Sequence, residues 1–540
     1  DEIYVDTNAS HGELSHVLSD GIDISICTIC HNVIGSKELI FEEIDDSNAR
    51  IIGISDTLVK TIIIPTSYNN KTVTEIGEGA FSNCTNLEKI YIASTIKTIK
   101  TNAFLNCTSI KSLVIPKTVT YIEQGAFTNM ASIIKLTLPF EGNTLSNNAS
   151  SFVKMFGSSD ASNSVPKTLK EVTILGGTTI SKQAFLNCEY IESISLPDTI
   201  NTLGKGAFSG CINLQNVNLP SNITTLEAEM FLNCTSLESI ILPKDLKVIG
   251  EKAFSNCQSL KDINLPNTLE VVQKEAFLNC QSLKDLIIAK NTKNLNIGEF
   301  AFSGCNKLEN IILLENARIE NIYEGAFKDL ENLQKITLSD NAKIINIGNS
   351  AFSNCANLRK IDELNGIKTI DRSSFSDCIN LENITFSNTL LEIGKYAFFN
   401  CQSLKDITLP ASLKTLDSSS FYGCISLESI SVYGPINKIC EFSFSGCTNL
   451  KTVILPNTVT IIESNAFSNC ISLETITLPD SVTFVEEEIF LNCENLKNVK
   501  LSNKLSNISE KMFANCKNSF VEIILPDSVT LIEKGAFLSC

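Results

Sequence analysis

The side chains best suited to chemistry lie close together near the N-terminus. All three histidines, His11, His16 and His31, fall within the first 31 residues, and Cys27 and Cys30 lie beside the last of them. The run CTICH, which ends at His31, matches the Cys-x-x-Cys-His pattern of covalent haem attachment. The same five imidazole and thiol side chains are also of the types that bind zinc.

The surroundings of these five residues favour neither cofactor. No sequence around CTICH looks like a cytochrome, and the order of histidines and cysteines follows no familiar zinc finger. The favoured interpretation is an ordinary structural cap, with or without a disulfide between Cys27 and Cys30. We therefore predict no cofactor and no metal, while zinc binding by this segment stays open as an alternative.

The rest of the chain offers no set of side chains that could catalyse a reaction. A serine-histidine-aspartate site needs a histidine beside its nucleophile, and every histidine lies in the first 31 residues. The glycine pairs at Gly77/Gly79 and Gly204/Gly206 lack the full spacing of a phosphate-binding loop. Carboxylates are plentiful but stand at variable positions, as on a solvated face. The chain is predicted not to be an enzyme.

Charge and hydropathy exclude two classes of interaction. The net charge of −17 at pH 7 repels phosphate backbones, so nucleic acid is not expected as a partner. No stretch approaches 18 consecutive apolar residues, so no membrane-spanning segment is predicted.

One pattern repeats along most of the chain, anchored on a phenylalanine that usually follows a small residue. Nearly every interval between anchors is 23 residues, three consecutive intervals are 25, the last is 24, and one break of 58 separates Phe127 from Phe185. Phe156 serves as a degenerate anchor inside that break, which gives about twenty repeats. The regular anchors are Phe81, Phe104, Phe127, Phe185, Phe208, Phe231, Phe254, Phe277, Phe302, Phe327, Phe352, Phe375, Phe398, Phe421, Phe444, Phe467, Phe490, Phe513 and Phe537.

A typical repeat contains two short strands joined by turns. In LESIILPKDLKVIGEKAFSNC, which ends at Cys257, the alternating Leu-x-x-Ile-x-Leu is typical of a half-buried strand, and Pro243 ends it by removing a backbone donor. Val248 and Ile249 form the return strand. So short a repeat cannot bury its own apolar face, so the repeats must stack. The sequence predicts a repeat solenoid with a parallel concave sheet, short convex strands and an internal spine of phenylalanines.

The cysteines follow the same period. All of the 20 except Cys27, Cys30 and Cys440 stand three residues after an anchor phenylalanine. Disulfides or metal ligands are the alternative, but Met130 and Leu330 occupy this position in two repeats and can neither pair nor bind a metal. Free cysteine packs as a small hydrophobe, so we predict a buried ladder of thiols.

The Ile-x-Leu-Pro strand end and the Ala-Phe-x-x-Cys-x-x-Leu turn resemble the BspA-like class of leucine-rich repeats. The segment from Ile64 to Phe81 resembles the start of such an array, and the block from Leu138 to Pro166 resembles a degenerate repeat of bacterial members. The resemblance implies a leucine-rich-repeat solenoid, coiled right-handed and curved. It also implies a secreted or cell-surface protein that adheres to host matrix proteins such as fibronectin and fibrinogen.

The repeat pattern predicts two domains. Residues 1–60 do not match it and are expected to form an N-terminal cap, while residues 61–540 form the solenoid, with an irregular, insertion-bearing repeat at about 139–168. The chain stops at Cys540 in the middle of a repeat. We therefore expect that a C-terminal cap is missing and that the natural protein continues.

A partner is expected on the concave strands, along the residue between Ile and Leu of each Ile-x-Leu; we call this set the outward column. It is mostly Thr, Ser, Asn and Ile, and Tyr91 is its one aromatic member, although aromatic residues concentrate binding energy at interfaces. One group departs from the polar background and predicts an exposed apolar patch with acidic flanks. Its members are Ile241, Asn264, Ile287 and Ile312, with Asp262 and Asp285 in the flanking column.

The Ser- and Asn-rich insertion at 142–164 is a second candidate contact site, because insertions often carry specificity. The favoured interpretation of this insertion is nevertheless a tolerated excursion from the fold.

Two functions remain in view. The first is an extracellular or cell-surface protein for adhesion or protein recognition, whose partner is a host matrix protein or another cell surface. The alternative is a structural spacer that presents another domain away from a cell. An adhesin would bind through a few repeats, whereas a spacer would have interchangeable repeats without local surface character.

Overall fold

Successive turns of the chain lay short parallel strands side by side, as the sequence predicts. In the computed structural model the chain forms a parallel-strand solenoid of about twenty turns, and helix is limited to two four-residue segments among the described residues. The chain divides into two compact units, Asp1–Pro243 and Lys244–Cys540. The structure describes residues 14–19, 22–27, 35–141, 151–158, 161–291, 294–518 and 523–540.

The N-terminal unit has short strands throughout, with two helices inside the irregular repeat. Its elements are β1 (Leu14–Ser19), β2 (Ile22–Cys27), β3 (Leu39–Glu43), β4 (Asn48–Ile54), β5 (Thr61–Ile63), β6 (Ser67–Tyr68), β7 (Lys71–Ile76), β8 (Lys89–Tyr91), β9 (Thr98–Ile99), β10 (Ser112–Val114), β11 (Tyr121–Ile122), β12 (Lys135–Leu138), α1 (Ser151–Lys154), α2 (Ala161–Ser164), β13 (Glu171–Ile174), β14 (Thr179–Ile180), β15 (Ser193–Ser195), β16 (Thr202–Leu203), β17 (Asn216–Val217) and β18 (Thr225–Leu226).

Two ladders of strands run through this unit. The Leu-x-x-Ile-x-Leu segments form the first ladder, in which β5 pairs with β8 and a sheet runs β10-β12-β13-β15-β17. The return strands form the second ladder, with β14 paired to β16 and a sheet in the order β3-β4-β7-β9-β11. The hairpin of β3 and β4 is antiparallel, and β4 joins β7 in parallel, so residues before the first anchor extend the second ladder. The predicted domain boundary at residue 60 stays a prediction.

The C-terminal unit repeats the same arrangement. Its strands are β19 (Val248–Ile249), β20 (Val271–Val272), β21 (Asp285–Ile288), β22 (Leu295–Ile297), β23 (Asn310–Leu313), β24 (Arg318–Ile322), β25 (Lys335–Leu338), β26 (Lys343–Ile347), β27 (Lys360–Ile361), β28 (Thr369–Ile370), β29 (Glu392–Ile393), β30 (Asp406–Leu409), β31 (Thr415–Leu416), β32 (Ser429–Val432), β33 (Lys438–Ile439), β34 (Thr452–Ile454), β35 (Ile461–Ile462), β36 (Thr475–Thr477), β37 (Phe484–Val485), β38 (Asn498–Lys500), β39 (Asn507–Ile508) and β40 (Leu531–Ile532).

Within this unit the first ladder comprises β21-β23-β25-β27, β30-β32-β34 and β36-β38, and the second comprises β19-β20-β22-β24-β26-β28-β29-β31, β33-β35-β37 and β39-β40. Pairing joins equivalent residues, so that Ile407 lies beside Ile430 and Ile430 beside Val453. Because side chains alternate across a strand, the isoleucine and valine positions point to the core while Ser431 stays half-buried between them.

The anchor phenylalanines form the predicted spine. From Phe254 to Phe537, consecutive rings lie 4.9 to 5.9 Å apart between centroids, with interplanar angles of 2° to 23°. This separation is close to the spacing of about 4.8 Å between neighbouring strands. One repeat therefore advances the spine and both ladders by the same step.

The irregular repeat fills the spine with two rings instead of one. Phe156, the degenerate anchor of the sequence, lies 6.1 Å from Phe127, and Phe152 lies 5.5 Å from Phe156 and 4.7 Å from Phe185. Both Phe152 and Phe156 are buried. These residues of the insertion are therefore part of the core, contrary to the interpretation of the whole segment as an excursion.

The Ala-Phe-x-x-Cys turn requires two residues of positive φ, one before and one after the anchor. In the repeat of Phe398 they are Tyr396 and Asn400, each with φ of 59°. Asparagine tolerates this conformation better than most residues, which accounts for the frequent Asn-Cys pair. The asparagines also bond to one another between repeats, as Asn492 Nδ2 does to Asn469 Oδ1 at 2.8 Å.

The spine predicts a large loss of stability when one ring is removed. Phe352→Ala deletes a fully buried side chain between two stacked neighbours, so we expect the free energy of unfolding to fall by about 3–5 kcal/mol. Urea denaturation followed by circular dichroism measures this change. Tyr323→Ala, at a ring that is 48% exposed in the same unit, is the control. Equal losses in the two variants would contradict a spine that stabilises the stack.

Candidate functional site

The structure places the predicted contact residues on the first ladder and its continuation. In the N-terminal unit, Tyr91 is half-buried on β8, and its carbonyl oxygen accepts a hydrogen bond from the Ile64 N–H at 2.9 Å. Ile241 belongs to the same unit, lies outside any strand and is 89% exposed. Ile241 is thus available at the surface, whereas part of the Tyr91 ring is covered.

The C-terminal unit brings three predicted residues side by side. Asn264 forms a parallel bridge with Ile287, and Ile287 pairs with Ile312 on the next strand. Ile287 is 40% exposed and Ile312 is half-buried, so the patch presents less apolar surface than the sequence suggests. We call Asn264, Ile287 and Ile312 the isoleucine patch; its role in binding stays a prediction.

The two acidic residues beside this patch, Asp262 and Asp285, differ in how accessible their carboxylates are. The Asp285 carboxylate accepts a hydrogen bond from Asn310 Nδ2 at 2.7 Å, which fixes the two side chains on neighbouring strands. Asp262 is exposed in its bridge position one repeat earlier. Asp262 is therefore the more accessible of the two carboxylates.

A groove that the sequence does not predict opens further along the outward column of the same unit. It has a volume of about 540 Å³ and mixes polar side chains with two aromatic rings. We call it the tyrosine groove. Its lining residues are Asn383, Ile384, Thr385, Phe386, Asn388, Asp406, Thr408, Pro410, Ala411 and Tyr433.

Two departures from the repeat build the tyrosine groove. Phe386 stands where other repeats have the leucine of Ile-x-Leu, and it packs edge-on against the spine ring of Phe398 at 6.1 Å. Tyr433 stands where other repeats have proline, and its N–H donates to the carbonyl oxygen of Leu409 at 3.2 Å. Its ring is 56% exposed. Proline lacks this donor, so tyrosine extends the ladder and adds a ring at the surface.

A second group of aromatic rings lies on the turns of three neighbouring repeats. Phe399 and Tyr422 stack at 5.3 Å, and Tyr396 and Phe442 meet this pair edge-on at 5.7 and 6.2 Å. The side chains of Arg372 and Lys395 lie over the Tyr396 ring at 5.9 and 5.1 Å. The rings and cations of this cluster thus contact one another, and Tyr422 is the most exposed of the four rings, at 38%.

These surface features could have been found from the sequence by a different comparison. The outward column has Tyr91 as its one aromatic residue, whereas Phe386 and Tyr433 stand in the leucine and proline positions beside it. The sequence signal for the tyrosine groove is a large aromatic residue at a position where other repeats have leucine or proline.

The five candidate cofactor residues all fall between residues 11 and 31. His11, Cys30 and His31 lie outside the described residues, and the side chains of His16 and Cys27 on β1 and β2 lie outside them as well. The part of the chain that the structure describes contains no group of three or more His, Cys, Asp or Glu side chains able to hold a metal ion. Residues 142–150 and 159–160 of the predicted insertion also lie outside the described residues.

The thiol ladder is buried, as predicted, and its thiols are satisfied by the backbone. Cys378 Sγ donates to the carbonyl oxygen of Phe352 at 3.2 Å, and Cys401 Sγ to that of Phe375 at the same distance. Every described ladder cysteine except Cys540 is buried. Burial raises the pKa of such thiols, to about 12 at Cys107, so the reactive thiolate is disfavoured.

Comparison with known families gives one match across most of the chain. The model described as "BspA type Leucine rich repeat region (6 copies)" matches residues 55–157, 178–296, 295–428 and 414–540. No curated protein matches the chain. Among the residues described, no helix combines the length and hydropathy that a bilayer span requires.

Several solved structures are similar to this chain. A leucine-rich repeat protein from Bacteroides ovatus is 24% identical, with 86% of this chain and 98% of that chain covered and a TM-score of 0.43. A leucine-rich cell surface protein from Faecalibacterium prausnitzii is 20% identical, with coverage of 78% and 93% and a TM-score of 0.27. The pneumococcal vaccine antigen PcpA is 17% identical, with coverage of 86% and 98% and a TM-score of 0.25.

The raised thiol pKa values predict an unreactive ladder. In the folded chain of 540 residues at mildly alkaline pH, we expect a thiol reagent to modify the exposed Cys540 faster than the buried ladder cysteines, which should react only after unfolding in urea. Peptide mapping by mass spectrometry identifies the modified positions, and Cys540→Ser is the control that removes the fast site. Rapid native modification at Cys378 or Cys401 would contradict the buried ladder.

Proposed function

Because the chain belongs to the BspA-type leucine-rich-repeat family, we propose that it is an extracellular or cell-surface protein that recognises protein partners and mediates adhesion. A host matrix protein is the proposed class of partner. A repeat solenoid of this family is typically non-catalytic, so recognition is favoured over catalysis.

The observation that carries this proposal is local surface character on an otherwise uniform array. Spine, ladders and thiols repeat with little change, whereas the outward column of the C-terminal unit carries the isoleucine patch and the tyrosine groove. Exposed aromatic and apolar side chains at the centre of a contact supply most of the binding energy in protein interfaces. Tyr433 and Ile287 are the side chains of this kind in the two places.

The proposed contact set extends along the outward column. It consists of Asn264, Ile287 and Ile312 with Asp262 and Asp285 beside them, and of Tyr433 with the other residues of the tyrosine groove. In the N-terminal unit, Tyr91 and Ile241 are the proposed contacts. A structural spacer would not require any of these side chains. The regular phenylalanine spine is the observation that favours the spacer.

Binding to immobilised matrix proteins tests the proposal. We expect the purified chain to bind fibronectin, fibrinogen, laminin or collagen saturably, and the double variant Ile287→Lys/Ile312→Lys to weaken that binding at least about tenfold, because it places two charges in an apolar contact. Surface plasmon resonance gives both affinities.

The matched control is Ile471→Lys. Ile471 is 38% exposed, close to the 40% of Ile287, and it lies in a turn of the same unit away from the first ladder. Circular dichroism and thermal melting establish that all variants are folded. Absence of binding to every matrix protein would favour the spacer, and equal losses in the double variant and the control would remove the isoleucine patch from the contact set.

A further inference from the structure

The tyrosine groove combines one exposed carboxylate, of Asp406, with one exposed aromatic ring, of Tyr433. Asp406 is exposed, and its Oδ1 accepts a single described hydrogen bond, from Ser429 Oγ at 2.5 Å. No lysine or arginine among the described residues forms an ion pair with it. The carboxylate therefore keeps acceptor capacity for a ligand, since an ionised carboxylate has about four acceptor sites.

No residue that lines the groove is basic. The remaining polar groups are the amides of Asn383 and Asn388 and the hydroxyls of Thr385 and Thr408, all of them neutral and exposed. With a net charge of −17, the whole chain attracts cations as well. The charge of the groove is therefore complementary to a positively charged group.

The ring of Tyr433 has the properties of a cation-binding surface. It is 56% exposed, and no basic side chain of the described chain lies over it. At Tyr396 in the same unit the corresponding ring face is already occupied, by Arg372 and Lys395. Within the described residues of this unit, the Tyr396 ring thus has cations over it, whereas the Tyr433 ring has none and lines the same groove as the exposed Asp406 carboxylate.

From this geometry we propose that the tyrosine groove binds an arginine or lysine side chain from a basic segment of the protein partner. The Asp406 carboxylate accepts the N–H groups of the cation, and the Tyr433 ring covers its face. Buried Ile384 and Pro410 and half-buried Phe386 contact the aliphatic part of the same side chain. This inference rests on the proposed recognition of a protein, and it specifies the chemistry of the contact.

A synthetic peptide tests the inference without a natural partner. The probe is a nine-residue glycine-serine peptide with arginine at every third position, and the matched probe carries citrulline, which keeps the shape of arginine without its charge. At low ionic strength we expect the arginine peptide to bind the full chain in isothermal titration calorimetry. The citrulline peptide should bind at least about fivefold more weakly, and added salt should weaken the arginine peptide, because salt screens exposed charges.

Variants locate the contact. Asp406→Asn should weaken arginine-peptide binding about threefold to fivefold, and Tyr433→Ala about twofold to fivefold, whereas Tyr433→Phe should keep most of it because the ring remains. Asp480→Asn is the matched control and should change nothing, because Asp480 is another exposed carboxylate of the same unit that accepts one hydrogen bond, from the Asn503 N–H at 3.1 Å, and lies outside the contact set. Thermal melting verifies that each variant is folded.

Three results would overturn the inference: no binding of the arginine peptide, equal affinity for the two peptides, or equal effects of Asp406→Asn and Asp480→Asn. Binding of a neutral oligosaccharide instead, lost in Asp406→Asn, would also overturn it and assign the groove to sugars. Matrix binding that persists while the peptide fails removes this inference and leaves the proposed function. Peptide binding without matrix binding keeps the cation site and removes the proposed matrix partner.

Discussion

Stacking of one buried phenylalanine on the next is the interaction on which the rest of this structure depends. A repeat of 23 residues has too little interior to bury its own apolar face, so it is stable only against its neighbours. Ring separations of 4.9 to 5.9 Å in the C-terminal unit are close to the spacing of strands. The spine and the two ladders share one separation between neighbouring repeats. The repeat length can therefore change only where the added residues leave that separation unchanged. The 25-residue repeats do so with longer return strands, such as Arg318–Ile322 and Lys343–Ile347.

Stacking also engages the thiol and amide groups of the repeat in hydrogen bonds within the array. Ladder thiols donate to carbonyl oxygens of the spine residues, and asparagines in the turns bond to asparagines of the neighbouring repeat. Groups held in this way are satisfied inside the array and are poor reagents, as the raised pKa of Cys107 indicates. Many cysteines in a chain therefore need not mean many reactive thiols.

Recognition is left to positions that the stack does not constrain. Tyr433, which stands in the usual proline position, keeps the ladder paired, because its N–H donates to the carbonyl oxygen of Leu409 and its ring is exposed. Phe386 likewise remains attached to the spine through Phe398 while it lines the tyrosine groove. A large aromatic side chain can thus be added to the surface of a single repeat without breaking the ladder or the spine.

The sequence by itself determined the repeat period, the phenylalanine spine, the buried thiols and the outward column, because each is a local pattern that recurs at a fixed interval. It also identified Asn264, Ile287 and Ile312 as neighbours, since equivalent residues of successive repeats must pair. Only the tertiary structure showed that Phe152 enters the spine beside Phe156. The tyrosine groove likewise required it, because the groove forms between side chains of three successive repeats at positions that break the pattern. A periodic sequence predicts what every repeat shares, whereas a cavity between exceptional side chains depends on packing that periodicity does not contain.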